Sequence, residues 1–164
     1  MAGSLRHLRR CIARDRGEEK GRHMDRRRWF GTWKLEAMEL HSLRGVTTYP
    51  YGKNPTGYIM YLQPDRMAVA FGNGDRRPFA TEDMLGGTAQ EKGAAFNSFV
   101  CYCGTFHVEE QSVFHRIDVS LFPNWVGTSQ ERFYEFEGDS LRLSSKPFLM
   151  NGEQQTAHLI WRRA

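Results

Sequence analysis

His115 and Arg132 are the residues best placed to do chemistry, because each interrupts an otherwise apolar strand face. His115 alternates with Val113 and Ile117, and Arg132 alternates with Tyr134. A buried cation is costly unless an anion or a strong acceptor compensates it. Arg132 therefore pairs with a carboxylate such as that of Glu39, reaches out through the mouth of the fold, or binds a carboxylate, enolate or phenolate of a ligand.

His115 has two interpretations. A single histidine on an apolar face is commonly an interior side chain with satisfied hydrogen bonds. If Arg132 lies close to it, however, the cation lowers the pKa of the imidazole and keeps the ring neutral. A neutral His115 could then accept a proton from a ligand hydroxyl or an acidic C–H group, as a catalytic residue does.

Two predicted hairpins position these residues. The first turns at Glu110-Gln111 and directs one apolar face inward, and the second turns at Gly138-Asp139. The predicted cross-strand pairs are Phe106 with His115, Gly104 with Ile117, Tyr102 with Val119, Phe136 with Leu141, and Tyr134 with Leu143.

From Trp29 onward, short aromatic and aliphatic runs are broken by Gly, Pro, Asn and Asp, which is typical of an all-β domain. The predicted strands are residues 32–40, 57–62, 66–72, 100–109, 112–121, 130–137, 140–145 and 155–162. Eight such strands predict a closed antiparallel barrel or a sandwich. A capping box from Thr88 to Glu91 predicts one short helix, either a plug over one barrel mouth or a mobile lid.

Residues 1–28 carry ten Lys or Arg against four Asp or Glu, so the remaining chain has a net charge of about −2 within the total of +4. We expect residues 1–28 to be a disordered basic tail and residues 29–164 to be one domain. The mildly acidic domain does not favour a nucleic-acid partner, and no apolar run is long enough to span a membrane. The odd cysteine count of three favours a reducing, cytoplasmic location.

Motifs for cofactor chemistry are missing from the sequence. There is no nucleophilic triad, phosphate loop or dinucleotide fingerprint, so we expect no cofactor. Cys103 and His107 share a strand face, but that face is predicted to meet solvent and lacks further ligands, so we expect no metal.

Several motifs resemble those of the bacterial and fungal lipocalin-like domain proteins over about residues 29–162. They are Gly31-Thr32-Trp33-Lys34-Leu35, Gly57-Tyr58-Ile59-Met60-Tyr61, Leu85-Gly86-Gly87-Thr88, and the run from Ser120 to Thr128 that contains Phe122-Pro123-Asn124-Trp125. The resemblance implies a single eight-stranded lipocalin-like β-barrel in which Trp33 closes the floor. It also places His115 where that family's pattern has a histidine.

The leading hypothesis is that the barrel binds a hydrophobic small molecule, with an anionic or enolic end, in an enclosed pocket. The expected ligand-binding residues are Arg132, His115, Tyr102, Phe106, Tyr134, Trp125 and Tyr58. One alternative is a cofactor-independent isomerase or cyclase with His115 as acid or base and Arg132 as oxyanion stabiliser. A second alternative is an interaction scaffold whose interior is filled by aromatic side chains. The sequence does not indicate an oligomeric state.

Overall fold

The structure, a computed structural model, describes residues 26–164. Most of the predicted basic tail therefore lies outside the described residues, and its disorder stays a prediction. The last three residues of that segment, Arg26–Arg28, form a 3-10 helix against the barrel. The Arg28 guanidinium lies 4.5 Å from the centre of the Phe136 ring. The backbone carbonyl oxygen of Arg28 accepts a hydrogen bond from Arg163 Nη2 at 2.5 Å.

The described residues form one antiparallel sheet of ten strands and a single α-helix. The strands are β1 Gly31–Ser42, β2 Thr47–Thr48, β3 Pro55–Leu62, β4 Arg66–Asn73, β5 Phe99–Val108, β6 Ser112–Ser120, β7 Ser129–Glu137, β8 Ser140–Ser145, β9 Phe148–Met150 and β10 Glu153–Arg163. Neighbours along the chain pair in order from β3 to β8, and β1 pairs with both β3 and β10. That last pairing closes the sheet into an antiparallel barrel of eight long strands.

The eight predicted strands are confirmed, each to within two residues at its ends. The two short strands β2 and β9, which pair with the ends of β1 and β10, were not predicted. Three residues or fewer cannot display a period-two pattern, so these strands leave no periodicity in the sequence.

Aromatic side chains close one end of the barrel. Trp29 is fully buried, and its ring lies 5.1 Å from Tyr61, 4.9 Å from Tyr134 and 5.1 Å from Phe136, measured between ring centres. The indole N–H of Trp33 donates to the Trp29 carbonyl oxygen at 3.0 Å. Trp33 therefore lies in the floor of the barrel, as the resemblance implied.

The predicted register is confirmed at Phe106–His115 and Gly104–Ile117 but is wrong for Tyr102, which pairs with Ser120. A β-bulge between Cys103 and Gly104 shifts the pairing by one residue, because two residues of one strand oppose a single residue of the other. The bulge turns Val119 outward, and its side chain is 62% exposed instead of buried.

The helix α1, Ala89–Asn97, begins with the predicted capping box between Thr88 and Glu91. It lies between β4 and β5, at the end of the barrel opposite the aromatic floor. None of its residues is buried, and none lines the main cavity described below. The helix therefore lies at this end of the barrel without contributing to the wall of the main cavity. Phe96 and Asn97 instead border a smaller cavity of about 190 Å³ beside the mouth.

Candidate functional site

A cavity of about 870 Å³ occupies the barrel interior between the aromatic floor and the opposite end. Two segments border its mouth: the 3-10 helix Pro123–Trp125, which follows β6, and residues 146–151, which include β9. Apolar side chains from five strands make up most of its inner wall: Met38, Ile59, Val69, Phe71, Leu143, Leu159 and Trp161. A cavity of this size counts against the predicted filled interior.

A chain of buried hydroxyl and imidazole groups crosses the wall of this cavity. His115 is 0% exposed, and both of its ring nitrogens are engaged. The Tyr61 hydroxyl lies 2.8 Å from His115 Nε2, and the Tyr102 hydroxyl lies 3.1 Å from His115 Nδ1. The chain thus runs from Tyr61 in the aromatic floor to Tyr102, which borders the cavity.

Arg132 lies beside this chain without an acidic partner. Its guanidinium donates to the Glu131 carbonyl oxygen at 2.9 Å and to the Gln130 side chain. Within residues 26–164, no carboxylate lies within ion-pair distance of it. The expected alternative partner, Glu39, instead hydrogen-bonds to His41 at 2.9 Å.

Burial and the charge of Arg132 together determine the protonation of the hydrogen-bonded side chains Tyr61, His115 and Tyr102. Burial, and to a smaller extent the positive charge of Arg132, lowers the pKa of His115 to about 3, so the ring is neutral near pH 7. Burial raises the pKa of the Tyr61 phenol well above its ordinary value and also raises the pKa of Tyr102. The positive charge of Arg132 opposes the rise in the pKa of Tyr102.

The structure brings four of the predicted ligand-binding residues, Arg132, His115, Tyr102 and Trp125, to the main cavity. Phe106 packs on Tyr61 in the floor, with ring centres 4.7 Å apart. Phe106 does not line the main cavity, and neither do the other two predicted residues, Tyr134 and Tyr58.

Tyr134 packs on Trp29, and its hydroxyl donates to the Glu110 carbonyl oxygen at 3.0 Å. The Tyr58 side chain points to the outer surface and is 46% exposed, because the side chains of β3 that face inward are those of Ile59 and Tyr61. Neither Tyr134 nor Tyr58 is therefore positioned to contact a molecule in the cavity.

Sequence reasoning missed Tyr61 and the segment 146–151. Tyr61 shares the inward alternation of Ile59, but the outward residues of β3 are also apolar, so the pattern does not distinguish the two faces. Residues 146–151 lack periodicity altogether. Pro147, which resembles a simple chain break in the sequence, lines the cavity with Phe148.

The catalytic role predicted for His115 stays a prediction, with one geometric constraint. Since both ring nitrogens are engaged by tyrosine hydroxyls, a proton from a ligand would have to pass through Tyr102.

Within residues 26–164, no cluster of three or more His, Cys, Asp or Glu side chains could hold a metal ion. The single α-helix of that region does not meet the length and apolarity needed to cross a bilayer.

Comparison with known proteins identifies relatives of this chain. A family model described as a lipocalin-like domain matches residues 30–164. The 4'-hydroxy-3'-methoxypropiophenone carrier protein of Aspergillus oryzae is 34% identical over 91 residues, which cover 50% of this chain and 82% of that protein. A crystal structure of a mutant of the fluorescent protein UnaG is 16% identical, covering 83% of this chain and 96% of that one at a TM-score of 0.35. That structural likeness is too low to support an argument. The match over residues 30–164 means that the chain belongs to the lipocalin-like domain family.

Proposed function

We propose that the barrel binds a hydrophobic small molecule in its cavity and that Arg132 and Tyr102 hold an anionic or enolic oxygen of that molecule. The observation that carries the proposal is a guanidinium at an apolar cavity with no carboxylate partner in the described part of the chain. Because a partly buried cation requires compensation, an anionic or strongly accepting ligand oxygen is a suitable partner for it.

The size and lining of the cavity support this proposal. A volume of about 870 Å³ falls in the range of pockets that enclose drug-sized ligands, and such pockets are typically apolar with a few converging polar groups. Here the converging polar groups include Tyr102 on β5 and Gln130 and Arg132 on β7. Glu131 and Lys146 also border the cavity, but they form an ion pair with each other. The apolar remainder of the wall accommodates a hydrocarbon or an aromatic ring.

Membership of the lipocalin-like family and the carrier relative support small-molecule binding in general. The compound in the relative's name combines an aromatic ring, a ketone and a phenol hydroxyl, which are the chemical features this cavity could accept. That compound is therefore a reasonable first probe, together with hydrophobic acids and other phenols.

Tryptophan fluorescence provides a direct binding assay, because Trp125 and Trp161 both line the cavity. We would titrate the wild-type protein with 4'-hydroxy-3'-methoxypropiophenone and with a panel of hydrophobic acids and phenols. Native mass spectrometry of the purified protein would test for a molecule that it already holds.

The decisive comparison is Arg132→Ala against Arg116→Ala, which removes an exposed arginine from the outer face of β6. Loss of a charge-assisted hydrogen bond costs about 1.5–3 kcal/mol, so Arg132→Ala should weaken binding by about 10- to 150-fold. Arg116→Ala should leave the affinity unchanged. Equal affinities for the two variants would refute the role of Arg132. Failure of the wild-type protein to bind any member of the panel would refute the proposed ligand class.

A further inference from the structure

The hydrogen-bond chain Tyr61–His115–Tyr102 can be arranged in two ways. A neutral imidazole has one N–H donor and one acceptor nitrogen, so its two tyrosine partners must play opposite roles. Either Nε2–H donates to Tyr61 while Tyr102 donates to Nδ1, or Tyr61 donates to Nε2 while Nδ1–H donates to Tyr102.

The two arrangements differ in the hydroxyl proton that is left over. If Nε2 carries the hydrogen, the Tyr61 proton has no acceptor, because His115 is the one hydrogen-bond partner of that hydroxyl within residues 26–164. Tyr61 is 0% exposed, so bulk solvent does not reach that proton. A buried, unsatisfied donor is strongly disfavoured. If Nδ1 carries the hydrogen, the Tyr61 proton is satisfied by Nε2.

Arg132 favours the second arrangement as well. A guanidinium has donors and no acceptor, so Arg132 can meet the oxygen of Tyr102 but not its proton. With Nδ1–H donating to this oxygen and the positive charge of Arg132 acting on the phenol, the remaining proton of Tyr102 turns away from both. Tyr102 borders the cavity, so that is the direction available to it.

We infer that His115 is the Nδ1–H tautomer and that Tyr102 consequently donates its hydroxyl proton to an acceptor oxygen of the ligand, such as a ketone carbonyl or an enolate oxygen. This inference rests on the proposed function for its ligand but not for its tautomer. Tyr61 and His115 act as positioning residues, since they fix the direction of the Tyr102 hydroxyl without touching the ligand. Donation from His115 also strengthens Tyr102 as a donor, because hydrogen bonds in a chain polarise one another.

The tautomer can be measured on the full chain without any ligand. Two-bond ¹H–¹⁵N correlation spectra separate protonated from unprotonated ring nitrogens, and comparison with His115→Gln assigns the His115 signals. We expect Nδ1 to be protonated and Nε2 to be unprotonated at pH 7. A protonated Nε2 would overturn the inference.

Tyr61→Phe tests the source of the bias. Removing that hydroxyl leaves either tautomer with one unsatisfied nitrogen, so we expect the ¹⁵N signals of His115 to move toward a mixture. The matched control is Tyr134→Phe, which removes a hydroxyl in the same aromatic floor that hydrogen-bonds to the Glu110 carbonyl oxygen. The control should leave the His115 tautomer unchanged. An unchanged tautomer in Tyr61→Phe would overturn the argument from Tyr61.

Binding of an acceptor ligand tests the second half of the inference. We would compare propiophenone with propylbenzene, which lacks the ketone oxygen, in wild type and in Tyr102→Phe. The affinity ratio of ketone to hydrocarbon should fall by about 3- to 10-fold in Tyr102→Phe, the effect expected for one hydrogen bond. An unchanged ratio would overturn donation by Tyr102. Absence of binding by either compound, with Nδ1 protonated, would count against the proposed ligand class while supporting the tautomer.

Discussion

Acidification is expected to destabilise the fold through His115. An unfolded histidine has a pKa of about 6.5, whereas burial and the nearby Arg132 lower the pKa of folded His115 to about 3. Between these values the unfolded chain binds a proton that the folded protein does not bind. The free energy of unfolding therefore falls as the pH falls through this interval.

The expected size of the effect follows from the two pKa values. For a pKa of 6.5 unfolded and about 3 folded, the loss of stability relative to alkaline pH is about 0.2 kcal/mol at pH 7 and about 2.7 kcal/mol at pH 4.5. His115 should thus account for about 2.5 kcal/mol of destabilisation across this range. The unfolded pKa determines most of this figure, because folded His115 stays unprotonated above pH 4.5.

Urea unfolding at a series of pH values between 7 and 4.5 would measure this contribution. The free energy of unfolding should fall more steeply with decreasing pH in wild type than in His115→Gln. Glutamine does not titrate, and its amide can hydrogen-bond to both tyrosines, so the variant removes the proton linkage. His107→Gln is the control, because the His107 side chain is 60% exposed. Parallel pH profiles for wild type and His115→Gln, agreeing within about 0.5 kcal/mol, would refute the reasoning. If His115→Gln does not fold, an NMR titration of wild-type His115 tests the same point, and protonation of the folded ring above pH 4.5 would contradict it.

Three further substitutions test a close strand approach, the packing of the barrel floor and the cap of the helix. In Gly104→Ala the new Cβ would lie 1.9 Å from the Arg116 carbonyl oxygen, so we expect a loss of at least about 2 kcal/mol in urea unfolding. Trp29→Ala empties the barrel floor and should cost about 3–5 kcal/mol in the same assay; a loss below 1 kcal/mol would contradict its role. Thr88→Ala removes the helix cap and should lower protection of the α1 amides by about 1 kcal/mol in hydrogen exchange, with little effect on global unfolding because no residue of α1 is buried.

Short turns made the hairpin registers predictable. Gly138-Asp139 and Glu110-Gln111 each connect two strands directly, and a two-residue connection fixes which residues face each other. The pairs Phe136–Leu141 and Phe106–His115 are therefore found where the sequence predicts them. The alternation of polar and apolar residues then gives the inward faces of those strands.

The bulge at Gly104 was not predictable from alternation, because an inserted residue changes the phase without breaking the pattern. The glycine itself was the available clue. A side chain at this position would collide with the neighbouring strand, and glycine within a strand often marks a close backbone approach. The inward face of β3 was not predictable for a different reason. The residues that alternate with Tyr58 on one face and those that alternate with Tyr61 on the other are both largely apolar, so the sequence does not show which face is buried.

Tyr61 links the stability of the barrel floor to the chemistry of the cavity. Its ring packs edge-on against Trp29 and against Phe106, with ring centres 5.1 Å and 4.7 Å apart, so the floor fixes the position of its hydroxyl. That hydroxyl is the far end of the hydrogen-bond chain through His115 to Tyr102. A substitution that loosens the floor, such as Trp29→Phe, should therefore alter ligand affinity even though Trp29 does not line the cavity.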